Sequence, residues 1–189
     1  ISYRTLYNTN EMLGAYPGAD GVKTGYTGKA GRCLVTSVTR DGGRFISVVI
    51  NSPSRYDRAL SSKLILDYAY NNYKTYTLMR AGEIVTNIGV SKGIDNSVPV
   101  ESMDEVRMAL KEEEVDALEM ALEIPDAVDA PVYKNIEVGC VKFLVGGEVI
   151  AKAQLKTCDD VRRKTARDFL GDIFRTWGRT IREGMFLGT

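Results

Sequence analysis

The chain has 189 residues, 44% of them hydrophobic and 26% charged, an ordinary globular composition that suits one domain or two small ones. Lys plus Arg and Asp plus Glu both number 25, so no net field draws the chain to nucleic acid. Histidine is absent, which excludes Ser-His-Asp or Cys-His catalysis within this chain and removes the commonest metal ligand. Cys33, Cys140 and Cys158 are widely spaced and odd in number, so neither a zinc knuckle nor a closed disulfide set is indicated. No window reaches the roughly 18 consecutive apolar residues of a membrane-spanning helix.

Residues 1–15 mix polar and apolar side chains without a period. Tyr16 to Gly21 is dense in turn formers, and a short strand is expected over Val22–Thr27. After the turn Gly28-Lys29-Ala30-Gly31, a second strand is expected over Arg32–Thr39. Asp41-Gly42-Gly43 then signals a hairpin, because glycine accepts positive φ without steric cost. The returning strand, Phe45–Asn51, carries Ile46, Val48, Val49 and Ile50, a run that predicts burial on both faces. Ser54 is placed to cap a helix that fades near Tyr73, with Leu60, Leu64, Ile65, Tyr68 and Ala69 at helical spacing. Three strands and a helix are too few to bury a good core alone, so the block reads as the tail of a larger α+β domain.

Residues 77–157 change character. Strand candidates alternate with breaks at Ala81-Gly82, Lys92-Gly93, Pro125 and Gly146-Gly147. Across 103–124, a period of two groups Val106, Met108 and Leu110, then Leu118, Met120, Leu122 and Ile124. That pattern predicts two strands joined around Glu112-Glu113-Glu114. Val141–Val145 and Glu148–Leu155 form a hairpin about Gly146-Gly147, and the region reads as a small all-β domain. Residues 101–123 hold nine acids against Arg107 and Lys111, which reads as a solvated face. Over residues 162–184 the period is helical. Phe169, Leu170, Ile173, Phe174, Trp177 and Ile181 fall within an arc of about 140° at 100° per residue. Seven bases lie in 162–182 against Asp168 and Asp172, the make-up of a helix lying on an anionic membrane surface.

Lys23-Thr24-Gly25 carries the chemistry. A lysine ammonium supplies fixed positive charge, a threonine hydroxyl can donate to a carboxylate, and a glycine lets backbone approach closely. In serine acyl-transfer enzymes of the Ser-x-x-Lys type this tripeptide lines the sheet edge beside the nucleophile.

The run Pro17-Gly18-Ala19-Asp20-Gly21-Val22-Lys23-Thr24-Gly25-Tyr26-Thr27-Gly28-Lys29-Ala30-Gly31 resembles the third motif region of the serine-type D-alanyl-D-alanine carboxypeptidases, the low-molecular-mass penicillin-binding proteins. The following Ile46–Ile50 strand and the helix start Ser54…Arg58 fit the same family, as do Ala130-Pro131-Val132 and the hairpin after Val138-Gly139. The resemblance covers nearly the whole chain. It implies an α+β fragment of a penicillin-binding transpeptidase/β-lactamase-like domain over 1–76, a small β-rich C-terminal domain over 77–160, and an amphipathic membrane-surface helix over 161–189. It implies that Lys23, Thr24 and Gly25 form the active-site strand. The Tyr26 backbone N–H would be an oxyanion-hole donor, and the Arg58 fork would hold the terminal carboxylate of D-Ala-D-Ala.

The same resemblance implies a peptidoglycan stem peptide as substrate, β-lactam antibiotics as acylating mimics, no metal, and action on the outer face of the bacterial cytoplasmic membrane in cell-wall and cell-shape maintenance. No Ser-x-x-Lys and no Ser-x-Asn occurs in the chain. The nucleophile, its lysine base and the relay serine are therefore expected upstream of Ile1, in a missing N-terminal half, and this chain alone is expected to be inactive. Two other readings stand beside this one. A class A β-lactamase shares Lys-Thr-Gly but would end soon after the helix at 54–73, and a non-catalytic spacer and membrane-anchoring module would keep the tripeptide as a remnant.

Overall fold

The computed structural model describes Thr5 and residues 7–171. The chain folds as two units, Ile1–Tyr76 with Arg107–Ala117, and Thr77–Val106 with Leu118–Thr189. Strands dominate both, and the described helices are few.

In the first unit, β1 (Ala19–Thr27), β2 (Gly31–Arg40) and β3 (Gly43–Ser52) form an antiparallel sheet in the order β1-β2-β3. The β2–β3 hairpin closes where Arg40 pairs with Gly43, and Asp41 and Gly42 both take positive φ, which matches the right-handed twist of the strands. Helix α1 (Arg55–Asn72) begins at Ser54, whose side chain accepts from the Asp57 N–H. It lies on one face of β2 and β3. The core between them is small: Met12, Tyr16, Leu34, Val38 and Leu66. Beside it runs a buried hydroxyl chain, with Ser62 Oγ 2.6 Å from Ser47 Oγ and donating to Thr36 Oγ1 at 3.0 Å. Each hydroxyl satisfies its neighbour, so the polar stripe carries no desolvation penalty from an unmade bond.

One expectation fails in this unit, and a second feature runs against the apolar pattern. Among the described residues strand β3 is an edge strand, and Ile46, Val48 and Ile50 are 59%, 60% and 72% exposed, whereas Ser47 and Val49 point inward. The apolar run marks two apolar faces, and α1 covers one of them. The apolar row of α1 is also turned outward: Tyr56, Leu60, Leu64 and Tyr68 are exposed, and Arg58, Ser62 and Leu66 face the sheet. Periodicity identified a stripe on the helix. The hydroxyls of β2 and β3 select the polar side of α1 for the contact.

The second unit holds a six-stranded sheet in the order β8-β10-β11-β6-β5-β9. Its strands are β5 (Ile84–Ser91), β6 (Ser97–Ser102), β8 (Leu118–Glu123), β9 (Ala127–Asp129), β10 (Glu137–Val145) and β11 (Glu148–Thr157). β5 and β9 pair in parallel and the other neighbours are antiparallel. The β10–β11 turn falls at Gly146-Gly147, both at positive φ. One cluster fills the interior, including Ile88, Val98, Val100, Val141, Phe143, Leu155 and Val161. Phe143 is fully buried, worth roughly 1.5–3 kcal/mol of transfer free energy.

β4 (Lys74–Met79) pairs with β7 (Val106–Leu110) in a two-stranded ribbon. The joint between β7 and β8, expected around Glu112-Glu113-Glu114, is a short helix, α2 (Glu112–Asp116). Three glutamates in its first turn favour helix through the N-terminal dipole, and the Glu114 carboxylate accepts from the Lys111 N–H. Cys33, Cys140 and Cys158 are all free thiols.

Candidate functional site

The site is built on β1. Lys23, Thr24, Gly25 and Tyr26 pair with Val35, Leu34, Cys33 and Arg32 of β2. Among the described residues no strand pairs with the other edge of β1, the edge to which an extended ligand could add. The Lys23 side chain is exposed, and its Nζ donates to the Thr24 carbonyl at 2.8 Å. The Thr24 side chain projects to the opposite face, half-buried, with its Oγ1 2.7 Å from Thr9 Oγ1. A Cβ built on Gly25 would meet Cys33 Cβ at 3.7 Å, ordinary contact, and its φ is not positive. The fold itself therefore does not require glycine there. Tyr26 is exposed, with the Arg32 guanidinium 4.9 Å from its ring centroid.

Arg58 lies deeper than an open carboxylate receptor would. It is 3% exposed and sits in the first turn of α1. Its Nε and Nη2 donate to the two Glu11 carboxylate oxygens at 3.2 and 2.5 Å, and Nη1 donates to the Cys33 carbonyl at 3.3 Å. Cys33 is the residue paired with Gly25, so Arg58 braces β2 directly behind the tripeptide. Burial pushes the Glu11 carboxyl up, but the Arg58 guanidinium and the Glu11 backbone outweigh it and hold the group below its usual 4.5. The fork is thus filled by Glu11, and a direct hold on substrate by Arg58 requires that Glu11 be displaced.

Glu11 belongs to a segment that sequence reading missed. Asn8 Oδ1 accepts from the Asn10 N–H at 2.9 Å, and Asn10 Oδ1 accepts from the Met12 N–H at 3.0 Å. These two side-chain turns present three successive residues to the strand and helix. Thr9 meets Thr24, buried Asn10 donates to the Gly21 carbonyl at 3.1 Å, and Glu11 takes Arg58. The asparagines at 8 and 10 were the available signal, since asparagine favours such turns.

At the other end of the chain, residues 166–171 are helical and Thr165 precedes them. The Asp168 carboxylate accepts from Arg162 at 2.8 Å and from the Thr165 N–H at 2.8 Å, and these partners hold its carboxyl well below the usual carboxylate range. Phe169 and Leu170 are about half exposed. Ile173, Phe174, Trp177 and Ile181 lie outside the described residues. Among the described residues no helix is long and apolar enough to cross a membrane, and no group of three or more acidic or cysteine side chains is gathered for a metal.

The strand bearing Lys-Thr-Gly and the small β unit that follows it both have known relatives. The family model described as D-alanyl-D-alanine carboxypeptidase matches residues 2–54, and that described as penicillin-binding protein 5, C-terminal domain, matches residues 73–163. D-alanyl-D-alanine carboxypeptidase DacF of Bacillus subtilis is 30% identical over 91% of this chain and 44% of its own length. DacA of Haemophilus influenzae is 31% identical over 75% of this chain and 37% of its own length. The crystal structure of penicillin-binding protein 5 from Haemophilus influenzae superposes with a TM-score of 0.71 at 29% identity, covering 82% of this chain and 46% of that one. The chain belongs to the D-alanyl-D-alanine carboxypeptidase family of low-molecular-mass penicillin-binding proteins and corresponds to a C-terminal part of its members. It spans less than half the length of these curated relatives.

Proposed function

We propose that this chain is the carboxylate-binding edge and the β-rich C-terminal domain of a serine D-Ala-D-Ala carboxypeptidase, which removes the terminal D-Ala from peptidoglycan pentapeptides through an acyl-enzyme. The observation that carries this reading is the Lys23-Thr24-Gly25 strand, whose outer edge pairs with no strand among the described residues. The Thr24 hydroxyl receives the terminal carboxylate, the Lys23 ammonium adds fixed positive charge close to the strand backbone, and Gly25 leaves room for the scissile peptide. The Tyr26 N–H donates to the developing oxyanion. Arg58, clamped by Glu11, keeps β2 and therefore Gly25 in register. β-Lactams, carrying a carboxylate beside a strained acyl group, occupy the same edge.

The nucleophile lies in residues that the longer relatives possess beyond this match. The bare β3 face and the outer row of α1 support the presence of such a partner segment, because apolar area of this kind is normally covered. This chain alone forms no acyl-enzyme. The α+β unit is one part of the catalytic domain, the β unit is a spacer, and the amphipathic segment that begins at Ala166 lies on the outer face of the cytoplasmic membrane; the sequence boundary at 161 falls too early, because Val161 and Arg163 bridge to Val132 and Gly93 of the β unit. The arginines of 162–182 and the half-exposed Phe169 and Leu170 support that last point.

Release of D-Ala from an N-acylated peptide ending in D-Ala-D-Ala, by the full-length polypeptide carrying this chain, tests the reading. Lys23→Ala and Thr24→Val should each lower kcat/KM by about 100-fold, the size of losing a charge-assisted contact to the reacting substrate. Full activity in both variants would refute it. Flotation with anionic liposomes, with and without residues 162–189, tests the membrane helix, and equal recovery would refute that part.

A further inference from the structure

We propose that Thr9 is a positioning residue that aims the Thr24 hydroxyl at the substrate carboxylate. The inference rests on the reading of Lys23-Thr24-Gly25 given above and names a second hydroxyl in the same site. Thr9 Oγ1 and Thr24 Oγ1 are 2.7 Å apart, a full hydrogen bond in which either oxygen can donate. The two directions have different consequences. If Thr24 donates to Thr9, its one proton is used and it offers an incoming carboxylate lone pairs alone. An ionised carboxylate is acceptor-only, so that direction repels it. If Thr9 donates, Thr24 keeps its proton for the ligand. The polarised hydroxyl is also a better donor, because donation into its oxygen strengthens its own O–H. A bound carboxylate therefore selects the arrangement Thr9 to Thr24 to ligand.

The placement of Thr9 is built, not incidental. Its flanks are fixed by the Asn8 and Asn10 side-chain turns, by Asn10 donating to the Gly21 carbonyl on the same strand, and by Glu11 on Arg58. Thr9 itself is exposed, so its side chain does little for the core. Removing its hydroxyl should spare folding and disturb Thr24. The Lys23 ammonium, 2.8 Å from the Thr24 carbonyl, adds a charge near the same strand segment that attracts the carboxylate whichever way the hydroxyls point. Thr9 therefore tunes the site and is not indispensable.

Steady-state kinetics of the full-length polypeptide on two substrates decides the matter, an N-acylated D-Ala-D-Ala peptide and its C-terminal amide. Thr9→Val should raise KM for the free acid about five- to ten-fold, the value of one mis-oriented hydrogen bond to a charged group, with kcat within about two-fold. Thr9→Ser, which keeps the hydroxyl, should behave as the parent, and the amide should be indifferent to both variants. An unchanged KM in Thr9→Val overturns the proposal. So does equal damage in Thr9→Ser, which would assign the effect to the methyl group, or an equal rise in KM for the amide. Failure of the parent polypeptide to release D-Ala would instead overturn the functional reading itself, and this proposal with it.

Discussion

The two units solve the problem of burial differently. The β unit encloses Phe143, Ile88, Val100 and Leu155 in one cluster shared by its strands. Among the described residues the α+β unit packs a cluster of five buried apolar residues beside a chain of hydroxyls and the Arg58–Glu11 ion pair, and it leaves apolar side chains bare on the outer face of β3 and along α1. A self-contained module closes its own core. In the α+β unit the interior goes to polar bracing: Arg58, Ser62, Ser47 and Thr36 tie α1 to β2 and β3, which under the proposed function fixes strand positions that a ligand must find in place.

Removal of Phe143 should give the largest effect and separate the two units most sharply. Phe143→Ala should cost about 3–5 kcal/mol of the β unit's stability, read as a lowered urea midpoint, with the α+β unit little changed. In contrast, Val48→Thr on the bare face of β3 should shift stability by no more than about 0.5 kcal/mol. A large loss at Val48 would mean that face is packed after all.

Next in size is the ion pair behind the tripeptide. Glu11→Gln should destabilise the α+β unit by about 3 kcal/mol, the lower end for stranding a buried charge, because Glu11 keeps some contact with water. The double variant Glu11→Leu with Arg58→Met should recover much of that loss, since neither charge is then left alone. The pH response has a defined sign. The folded pKa of Glu11 lies below its ordinary 4.5, so its contribution is complete above 4.5 and is lost as pH falls through the lower folded value. A thermal midpoint for the α+β unit that drops below pH 4.5 in the parent, and less steeply in Glu11→Gln, is the expected result. A still smaller energetic change, but a visible one, should follow from Ile46→Ser with Ile50→Ser. Fluorescence of a hydrophobic dye bound to the chain should fall with little change in stability.

Short-range features were legible in the sequence. The hairpins at Asp41-Gly42 and Gly146-Gly147 follow from local backbone preference, and the strand carrying Lys23 to Gly25 follows from its flanking turns. The Thr9-Asn10-Glu11 clamp was not, because its bonds reach from Thr9 to Thr24 and from Glu11 to Arg58, and no local period encodes them. Arg58 was picked out by its position in the family pattern, and its partner was invisible for the same reason. The α1 stripe was found, but a period reveals that a face is apolar without revealing what covers it. Ser62 meeting Ser47 and Thr36 settled which side of the helix met the sheet.

The central claim is that the β1 edge recognises a terminal carboxylate. Backbone amide resonances of the labelled chain, followed during titration with an N-acylated D-Ala-D-Ala peptide and separately with its C-terminal amide, test it most directly. The account predicts shifts centred on Lys23, Thr24, Gly25 and Tyr26 for the free acid, weak ones for the amide, and their loss in Thr24→Val. Equal shifts for acid and amide, or shifts centred elsewhere than β1, would contradict it.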